Sequence, residues 1–425
     1  MNIIEKSLKH IWYPAAQMED YQIFKPQHIK KAYGSYIEMS DGRRVIDAIS
    51  SWWCKSLGHC HPRLQQALIE QMSKFEHVMQ PHMTHETIAN LSEKLSGLTN
   101  TLSKSFYASD GSTAVEIALK MSLHAQQNQG HLKRSKFIAL TNGYHGETIA
   151  CLSVSDLGKY NKPYKDLLFK ANFIPNIPYV LNQEDLLWED CNDIWQKTKS
   201  FLDQHKDELA AIIIEPIVQG AGGMKIYSQD FLKQLRSWTL KNGVYLIADE
   251  IMTGLGRTGK MLACEHSNIE ADFLCLSKGL TSGMLPLSVC LTSQKIYDIF
   301  YEKDPFLHSN THYGNALAAS VALEVLKIFE EEDIVNKAAS LNMASMMEEI
   351  AKSTGLLTNI RSISAIIAGD LIDIDSFKLY KQAMKNGAIL RPMGNCLYWL
   401  PPLNISQDTL NELAEITQRS LLASR

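Results

Sequence analysis

Residues 273–283, FLCLSKGLTSG, govern how the rest of the sequence is interpreted. The first four are apolar, and a short apolar run bounded by small residues is typical of a buried strand. The run leads to Lys278, which a glycine follows at once. Lysine is among the residues least often buried without a partner. The sequence therefore predicts a core strand that brings an amine to a desolvated position, and the neighbouring strands should show what the amine meets there.

Short apolar runs alternate with helical patterns on both sides of this segment. Such alternation favours a mostly parallel central sheet covered by helices, and strands buried on both faces are nearly continuously hydrophobic. We therefore predict an α/β fold in which ligands bind at the carboxyl ends of the strands. The predicted strands are SKSFYAS, KFIAL, AAIIIEPIV, VYLIADEI and DFLCLS, and the predicted helices include GSTAVEIALKMSLHA and DFLKQLRSWTLKNG.

The two ends of the chain show different patterns from its centre. SYIEMSDGRRVIDAIS predicts a hairpin with its turn at Asp41 and Gly42. After residue 330 the sequence predicts one long helix, EEDIVNKAASLNMASMMEEIAKS, and then short strands such as AIIAGDLIDI and CLYWLPP. We predict a large domain over residues 56–330 and a smaller α+β domain over residues 331–425, which the N-terminal segment 1–55 joins.

Composition and charge exclude some functions. The 425 residues carry a formal charge of −4, which gives no electrostatic reason to bind nucleic acid or an anionic membrane. We see no signal peptide and no apolar stretch near the roughly 20 residues of a membrane span. Eight scattered cysteines without a CxxC pair indicate reduced thiols in the cytoplasm. GHCHP, residues 58–62, has no second cluster to complete a coordination shell, so we expect no metal.

Glycine and hydroxyl residues follow the first predicted strand of the centre. Asp110, Gly111, Ser112 and Thr113 open a helix, and the free N–H groups at a helix start attract anions. An ordinary N-cap by Asp110 or Ser112 explains the same residues, and taken alone this second interpretation is the stronger. After KFIAL come Tyr144 and His145 between glycines, which suggests an aromatic wall beside a ligand or merely a glycine-rich turn.

Carboxylates follow two further strands. Asp249 and Glu250 end VYLIA, and Glu215 ends the AIII run. An unpaired buried carboxylate is costly, so a cation or a hydrogen-bond donor should meet these groups, and GLGRTGK supplies Arg257 nearby. The alternative for each is an exposed turn.

Lys278 completes a set of groups that suits pyridoxal phosphate. The lysine amine would bind the cofactor aldehyde covalently, and Asp249 would pair with the protonated pyridine nitrogen. The helix start would take the phosphate. A lysine whose head reaches water along an apolar stem accounts for Lys278 but for none of the other groups.

Five motifs together resemble the class III pyridoxal-phosphate aminotransferases: GYHGET, IIIEPIVQGAGGM, LIADEIMTGLGRTGK, CEH and LSKGLTSG. The resemblance spans nearly the whole chain and implies fold type I, with a large cofactor domain, a small domain and a homodimer that shares its active sites. It implies that Lys278 is the covalent anchor and the catalytic base. It also implies cofactor contacts for Gly111, Ser112, Tyr144, Asp249 and Lys278, and, from the loop HSNTHYGN, contacts of Asn310 and Thr311 with the partner's phosphate.

Other segments resemble the members of this class that act in biotin biosynthesis, namely HIWYP, DGRRVIDAISSWW and ILRPMGNCLYWLPP. The resemblance implies transfer of an amino group from S-adenosylmethionine to 8-amino-7-oxononanoate. It implies that Trp52 walls the substrate pocket and that Arg391 binds the carboxylate of the acceptor. A long keto acid needs apolar area and one cation at its far end, which tryptophan and arginine supply. Tyr144, Lys278 and Ser309 are the other substrate-binding residues that it implies.

Two positions depart from the pattern of that group. Ala15 stands where many members have a tyrosine, and Ser309-Asn310 stands where they have Gly-Pro. We expect Ala15 to leave the donor side more permissive, with Tyr13, Gln17, Trp52 and Trp53 as candidates to close the space. The alternatives are another class III enzyme, such as an ω-aminotransferase or an aminomutase, the same acceptor with lysine as donor, or a cofactor-binding protein without catalysis. The last is disfavoured because Lys278 and Asp249 are both present and no helix-turn-helix segment is appended.

Overall fold

The computed structural model of the protein describes residues 1–301 and 303–425. Within them the largest sheet has seven strands, and the carboxyl ends of its parallel strands meet at one edge. No helix in the described residues is long and apolar enough to cross a membrane. In spatial order the strands of this sheet are Lys104–Ala108, Ser288–Thr292, Phe273–Leu276, Tyr245–Asp249, Leu209–Ile214, Lys136–Leu140 and Asn172–Ile174.

The central sheet is mostly parallel, as predicted. The five strands from Phe273–Leu276 to Asn172–Ile174 pair in parallel, whereas Ser288–Thr292 runs antiparallel to both of its neighbours. The prediction included neither Ser288–Thr292 nor Asn172–Ile174. An apolar run also does not encode the direction of its strand, so the antiparallel pairing could not be predicted. The strand Leu209–Ile214 is buried at all six positions. Burial on both faces explains why these strands are nearly continuously apolar.

Helices cover both faces of the sheet. They are Ile3–His10, Asp20–Ile23, Pro62–Met72, Glu86–Ser96, Gly111–Asn128, Ile149–Ser153, Gly158–Asn161, Leu186–Glu189, Asn192–Asp203, Gln229–Asn242, Gln294–Ile299, Ala316–Glu331, Ile334–Ala339, Met343–Thr354, Ser376–Asn386 and Gln407–Leu422. Short 3₁₀ helices span Lys162–Leu167, Ala263–Ser267 and Lys278–Thr281. A separate turn covers Ser50–Trp53.

Smaller sheets lie outside the centre. One contains Ile29–Tyr33, Tyr36–Met39 and Arg44–Ile46, and the last two form the predicted hairpin. Gly42 has φ +89°, which its turn requires. A second sheet contains Leu357–Ile363, Ile366–Leu371 and Cys396–Trp399, and a third contains Tyr179–Val180, Lys225–Tyr227 and Val218–Gln219.

The N-terminal hairpin is joined to the C-terminal part of the chain by backbone hydrogen bonds. Ile46 donates its N–H to the carbonyl of Gly387 at 2.8 Å, and Ile389 donates to the carbonyl of Ile46 at 2.8 Å. Leu400 donates to the carbonyl of Ala48 at 2.7 Å. These bonds bring residues near 50 and near 390–400 together. The domain limits at residues 55 and 330 stay predictions.

The prediction of one long helix over residues 331–353 is wrong. One helix ends at Ala339 and the next begins at Met343. Between them Ser340 donates its hydroxyl to the carbonyl of Lys337, and Asn342 accepts a hydrogen bond from the hydroxyl of Ser345. Serine and asparagine compete with helical backbone bonds in this way, which explains the break.

Candidate active site

A cavity of about 480 Å³ opens at the carboxyl ends of the parallel strands. Its volume is in the range of small-molecule sites, and its position is the one expected for this fold class. The structure therefore brings together most of the predicted site residues, although they come from distant parts of the sequence. The predicted residues that line the cavity are Trp52, Gly111, Ser112, Tyr144, Asp249, Lys278 and Arg391, and Ala15 and Trp53 line it as well.

Lys278 lies at the floor of the cavity. The strand Phe273–Leu276 ends one residue before Ser277, and Lys278 then takes φ +36° as a 3₁₀ turn begins. Its Nζ atom lies 4.9 Å from the centroid of the Trp53 ring. Burial lowers the pKa of Lys278, and the charges of Asp249 and Glu215 oppose that effect. A lysine with a lowered pKa has a larger neutral fraction at neutral pH, which is the form that acts as nucleophile or base.

Asp249 faces the same cavity and is paired. Its Oδ2 atom lies 2.8 Å from Nδ1 of His145, and its Oδ1 atom accepts the backbone N–H of Ile251 at 3.2 Å. The residue is only 5% exposed. The sequence suggested that His145 was part of an aromatic wall, but it did not indicate this pair. The one sequence signal for this pair was that His145 directly follows Tyr144. Neighbouring side chains point in different directions, so Tyr144 can face a ligand while His145 contacts Asp249.

Glu215 and Glu250 are met by backbone donors and not by a cation. Glu215 accepts the N–H groups of Tyr144 and Gly220, both at 2.9 Å. Glu250 accepts those of Ala263 at 2.7 Å and Cys264 at 2.8 Å. Burial raises the pKa of each glutamate to about 7. Glu215 lines the cavity, so a carboxyl group that titrates near neutral pH lies beside Lys278 and Asp249.

Arg257 is not the partner of these carboxylates. It is buried, and it donates to the carbonyl oxygen of Pro401 at 2.6 Å. Burial lowers its pKa to about 9. This bond to Pro401 joins the GLGRTGK segment to the C-terminal part of the chain. In this structure Arg257 therefore stabilises the fold.

The start of the helix Gly111–Asn128 forms one wall. Asp110 is its N-cap and accepts the N–H of Thr113 at 3.0 Å, so the ordinary cap is present. Gly111 and Ser112 line the cavity in the first turn, where N–H groups have no partner inside the helix. A Cβ atom at Gly111 would lie 2.9 Å from Cδ1 of Ile251, and one at Gly146 would lie 2.6 Å from Cβ of Ser112. The two glycines thus allow a tight cradle that also has the positive end of a helix dipole.

Tyr144 forms a second wall. Its backbone is fixed by the bond to Glu215, and its hydroxyl donates to Glu147 at 3.0 Å. Its ring centroid lies 5.9 Å from that of Tyr160. Burial raises the pKa of Tyr144 well above its usual value, which keeps the phenol neutral. The ring therefore offers a fixed, uncharged aromatic surface beside Lys278 and Asp249.

Trp52, Arg391 and Ala15 form the rim. The guanidinium carbon of Arg391 lies 4.5 Å from the centroid of the Trp52 ring. Nη2 of Arg391 donates to the backbone carbonyl of Ala15 at 2.9 Å. The sequence pointed to all three positions but not to these contacts. Neither Tyr13 nor Gln17 is among the described residues that line the cavity, and Tyr13 packs its ring 5.0 Å from that of Tyr21.

Ser309, Asn310 and Thr311 lie outside this cavity. Ser309 and Thr311 are exposed, and the Thr311 carbonyl lies 2.8 Å from Nε2 of His77. Asn310 donates to the carbonyl of Tyr107 at 3.5 Å. In the described part of the chain no group of three or more His, Cys, Asp or Glu side chains is arranged to hold a metal ion.

The fold and the cavity together define a class of protein. The family model "Aminotransferase class-III" matches residues 17–421, and the chain belongs to this family. The predicted fold type I and the predicted transaminase activity are therefore confirmed.

Curated relatives point further within the family. The chain is 37% identical to the adenosylmethionine-8-amino-7-oxononanoate aminotransferase of Helicobacter pylori, over 97% of this chain and 95% of that protein. It is 34% identical to the Synechococcus elongatus enzyme of the same name, over 95% and 96%.

Solved structures agree with this. The structure of the Methanocaldococcus jannaschii enzyme of that name has a TM-score of 0.91 and 28% identity, and the match covers 99% of both chains. A pyridoxal-phosphate-bound amine transaminase from an uncultivated Pseudomonas species has a TM-score of 0.90 and 27% identity, over 98% and 99%.

Proposed function

We propose that this protein transfers the amino group of S-adenosylmethionine to 8-amino-7-oxononanoate and so produces 7,8-diaminononanoate for biotin biosynthesis. The observation that carries the proposal is that one cavity is lined by an amine and a carboxylate, Lys278 and Asp249, and also by Trp52 and Arg391. The first pair suits an aminotransferase, and the second suits a long keto acid with a carboxylate at its far end. Full-length relatives with this activity in their names support the choice of substrates.

Pyridoxal phosphate is the cofactor, and the residues of the cavity fit it. The glycine cradle and the first turn at Gly111 and Ser112 suit the phosphate, Tyr144 suits the face of the ring, and Asp249 suits the pyridine nitrogen. When bound, pyridoxal phosphate supplies an aldehyde that accepts an amino group and a ring that withdraws electrons from the reacting carbon. Lys278 is the amine that would hold it covalently.

The residues of the chain supply binding, orientation and proton transfer. The amine of Lys278 takes a proton from the amine-bearing carbon of the donor and returns one to the acceptor, because burial keeps part of its population neutral. His145 holds Asp249 in place, and the Trp53 ring covers the amine of Lys278. At the rim, Arg391 binds the carboxylate of the acceptor, and Trp52 packs against its chain.

A half-reaction tests the proposal. We expect S-adenosylmethionine to convert the cofactor absorbance of the purified holoprotein from the aldehyde form to the amine form, and 8-amino-7-oxononanoate to reverse the change. The Lys278→Ala variant is the control and should show no conversion. A panel of donors decides between the alternatives: conversion by ω-amino acids but not by S-adenosylmethionine would favour another ω-aminotransferase. Faster conversion by lysine at equal concentration would contradict the assignment of the donor.

The proposal also includes assembly and location. The loop with Ser309, Asn310 and Thr311 lies away from the cavity of its own chain, which is consistent with contacts to the phosphate and substrate of a second subunit. We therefore expect a homodimer with shared active sites. We also expect a cytoplasmic protein, in keeping with eight free cysteines. Light scattering that gives a monomer for the active enzyme would contradict the dimer.

A further inference from the structure

Four consecutive residues beside the cavity have left-handed backbone. Residues 50–53 have φ angles of 50°, 44°, 74° and 72°. None of the four is glycine, and this conformation is unfavourable for any residue with a Cβ atom. Such a run persists only where surrounding contacts override the preference, and backbone strain of this kind concentrates at ligand sites.

Asp47 is one of the residues that hold this turn, and Leu400 is another, because its carbonyl accepts the hydroxyl of Ser50 at 2.7 Å. The Oδ1 atom of Asp47 accepts the backbone N–H of Ser51 at 2.9 Å, and its Oδ2 atom accepts the hydroxyl of Ser51 at 2.6 Å. Oδ2 also lies 2.8 Å from Nε2 of His59. The residue is 0% exposed. Burial alone would raise the pKa of Asp47, but the hydrogen bonds from His59 and Ser51 outweigh it and hold the pKa below its usual value.

His59 is itself fixed by the N-terminal hairpin. Its backbone N–H donates to the carbonyl of Gly34 at 2.7 Å, and Gly34 donates back to the carbonyl of His59 at 3.0 Å. A Cβ atom at Gly58 would lie 2.6 Å from the Gly34 carbonyl oxygen, so this approach requires glycine. The GHCHP sequence thus brings an imidazole to Asp47.

The two tryptophans of the turn are held differently. Trp53 has its own anchors, because its indole N–H donates to the hydroxyl of Tyr398 at 3.0 Å and its backbone N–H donates to the carbonyl of Ile49 at 2.9 Å. Trp52 is 51% exposed and rests against Arg391. The position of Trp52 therefore depends mainly on the backbone of the turn, whereas Trp53 is also held by its own hydrogen bonds.

We propose that Asp47 is a positioning residue for recognition of the acceptor: it holds residues 50–53 in the left-handed turn, and the turn sets Trp52 against Arg391. Asp47 does not line the cavity and acts only through the turn. The inference rests on the proposed function for the chemistry of the acceptor, a keto acid with a carboxylate at its far end. It extends acceptor recognition to the Asp47–His59 pair beneath the rim.

Kinetics of the two half-reactions test the inference. In Asp47→Ala we expect the KM for 8-amino-7-oxononanoate to rise about tenfold, the effect of losing one or two hydrogen bonds. The donor half-reaction should stay within about twofold, because Trp53 keeps its own anchors beside Lys278. Asp47→Asn retains an acceptor for the Ser51 N–H and should recover most of the loss. An unchanged acceptor KM in folded Asp47→Ala, or equal damage to both half-reactions, would overturn the inference.

A matched pair at Ser51 tests the backbone itself. Ser51→Gly and Ser51→Val both remove the hydroxyl and keep the N–H that Asp47 accepts. Glycine tolerates positive φ and a β-branched residue does not. We expect Ser51→Gly to keep the acceptor KM within about threefold and Ser51→Val to raise it about tenfold. Equal effects of the two substitutions would contradict a role for the left-handed turn. This pair decides the matter if Asp47→Ala does not fold.

Near-ultraviolet circular dichroism gives a readout that needs no acceptor. We expect the tryptophan signal to change in Asp47→Ala and in Ser51→Val but not in Ser51→Gly. If the wild type fails to use 8-amino-7-oxononanoate, the proposed function is wrong, and the spectra still test the turn. Spectra that are identical for all the variants would refute the inference whatever the acceptor is.

Discussion

The floor and the rim of the cavity are built on different physical principles. At the floor, Lys278 and Asp249 stand at the ends of paired strands. Burial lowers the pKa of Lys278 against the opposing charges of Asp249 and Glu215, and Asp249 is hydrogen-bonded to His145. At the rim, Trp52 and Arg391 come from loops, are partly exposed, and are held by a cation–π contact and a backbone carbonyl. The rigid part of the site therefore sets the reaction, and the looser part selects the substrate.

Lys278→Ala is the strongest test of the floor. We expect overall transamination to fall by at least about 10³-fold, because the chain loses its covalent anchor and its proton carrier together. The cofactor should still bind through the walls that Gly111, Ser112 and Tyr144 provide. Steady-state assays and the cofactor content of the dialysed protein check this. Turnover at the wild-type rate would refute the role of Lys278.

Asp249→Asn should have the next largest effect. The variant keeps the size of the side chain and its contact with His145, but it removes the charge that favours a protonated pyridine nitrogen. We expect kcat to fall about 10²-fold, in the range for loss of one electrostatic partner in a dry site. The melting temperature of the apoprotein should change little. A large fall in melting temperature with a small change in kcat would instead make Asp249 a structural carboxylate.

Arg391→Ala tests the rim. Loss of a charge-assisted hydrogen bond costs about 1.5–3 kcal/mol, so the KM for the keto acid should rise about 10- to 100-fold. The half-reaction with the donor should be nearly unchanged. Arg391→Lys is the matched control, since it keeps the charge and loses the bidentate geometry. If both half-reactions suffer equally, the arginine stabilises the rim and does not read the acceptor.

Glu250 lies behind the floor and offers a test by pH. Its folded-state pKa is raised to about 7, above its unfolded value, so the folded protein binds the proton more tightly. The stability that this provides is complete at low pH, below the unfolded pKa, and is lost as the pH rises through the folded pKa. We expect chemical denaturation to give a lower unfolding free energy at pH 8 than at pH 5. In Glu250→Gln this difference should shrink, and an unchanged difference would rule out Glu250 as its source.

Ala15→Tyr should have the smallest effect. The reaction should persist, because it depends on Lys278 and Asp249, while the KM for S-adenosylmethionine should change by only a few-fold. Ala15→Gly is the control, because glycine accepts the φ of +50° at this position without strain. Donor competition between S-adenosylmethionine and lysine measures the change. If neither substitution affects either donor, the side chain at position 15 takes no part in donor selection.

The floor was more predictable from the sequence than the rim. Apolar runs gave the strands, and polar residues at their ends gave Lys278 and Asp249, because local patterns encode burial. The contact of His145 with Asp249 was not predictable, since it joins residues 104 positions apart. The left-handed turn at residues 50–53 contradicts the preferences of serine and tryptophan, so surrounding contacts, among them those of Asp47, Tyr398 and Leu400, explain it. The antiparallel direction of the strand Ser288–Thr292 was not predictable either, because it depends on pairing with distant strands and not on the local sequence.

The bond from Arg391 to the carbonyl of Ala15 has a consequence for how this site tolerates change. A main-chain oxygen is present whichever residue occupies position 15, so substitutions there preserve the contact as long as the backbone keeps its path. An insertion or deletion between residues 1 and 15 that moves the backbone would break it without altering a single lining side chain. An alignment that compares only which amino acid stands at position 15 will therefore miss this requirement, which concerns the length of the loop and not its side chain.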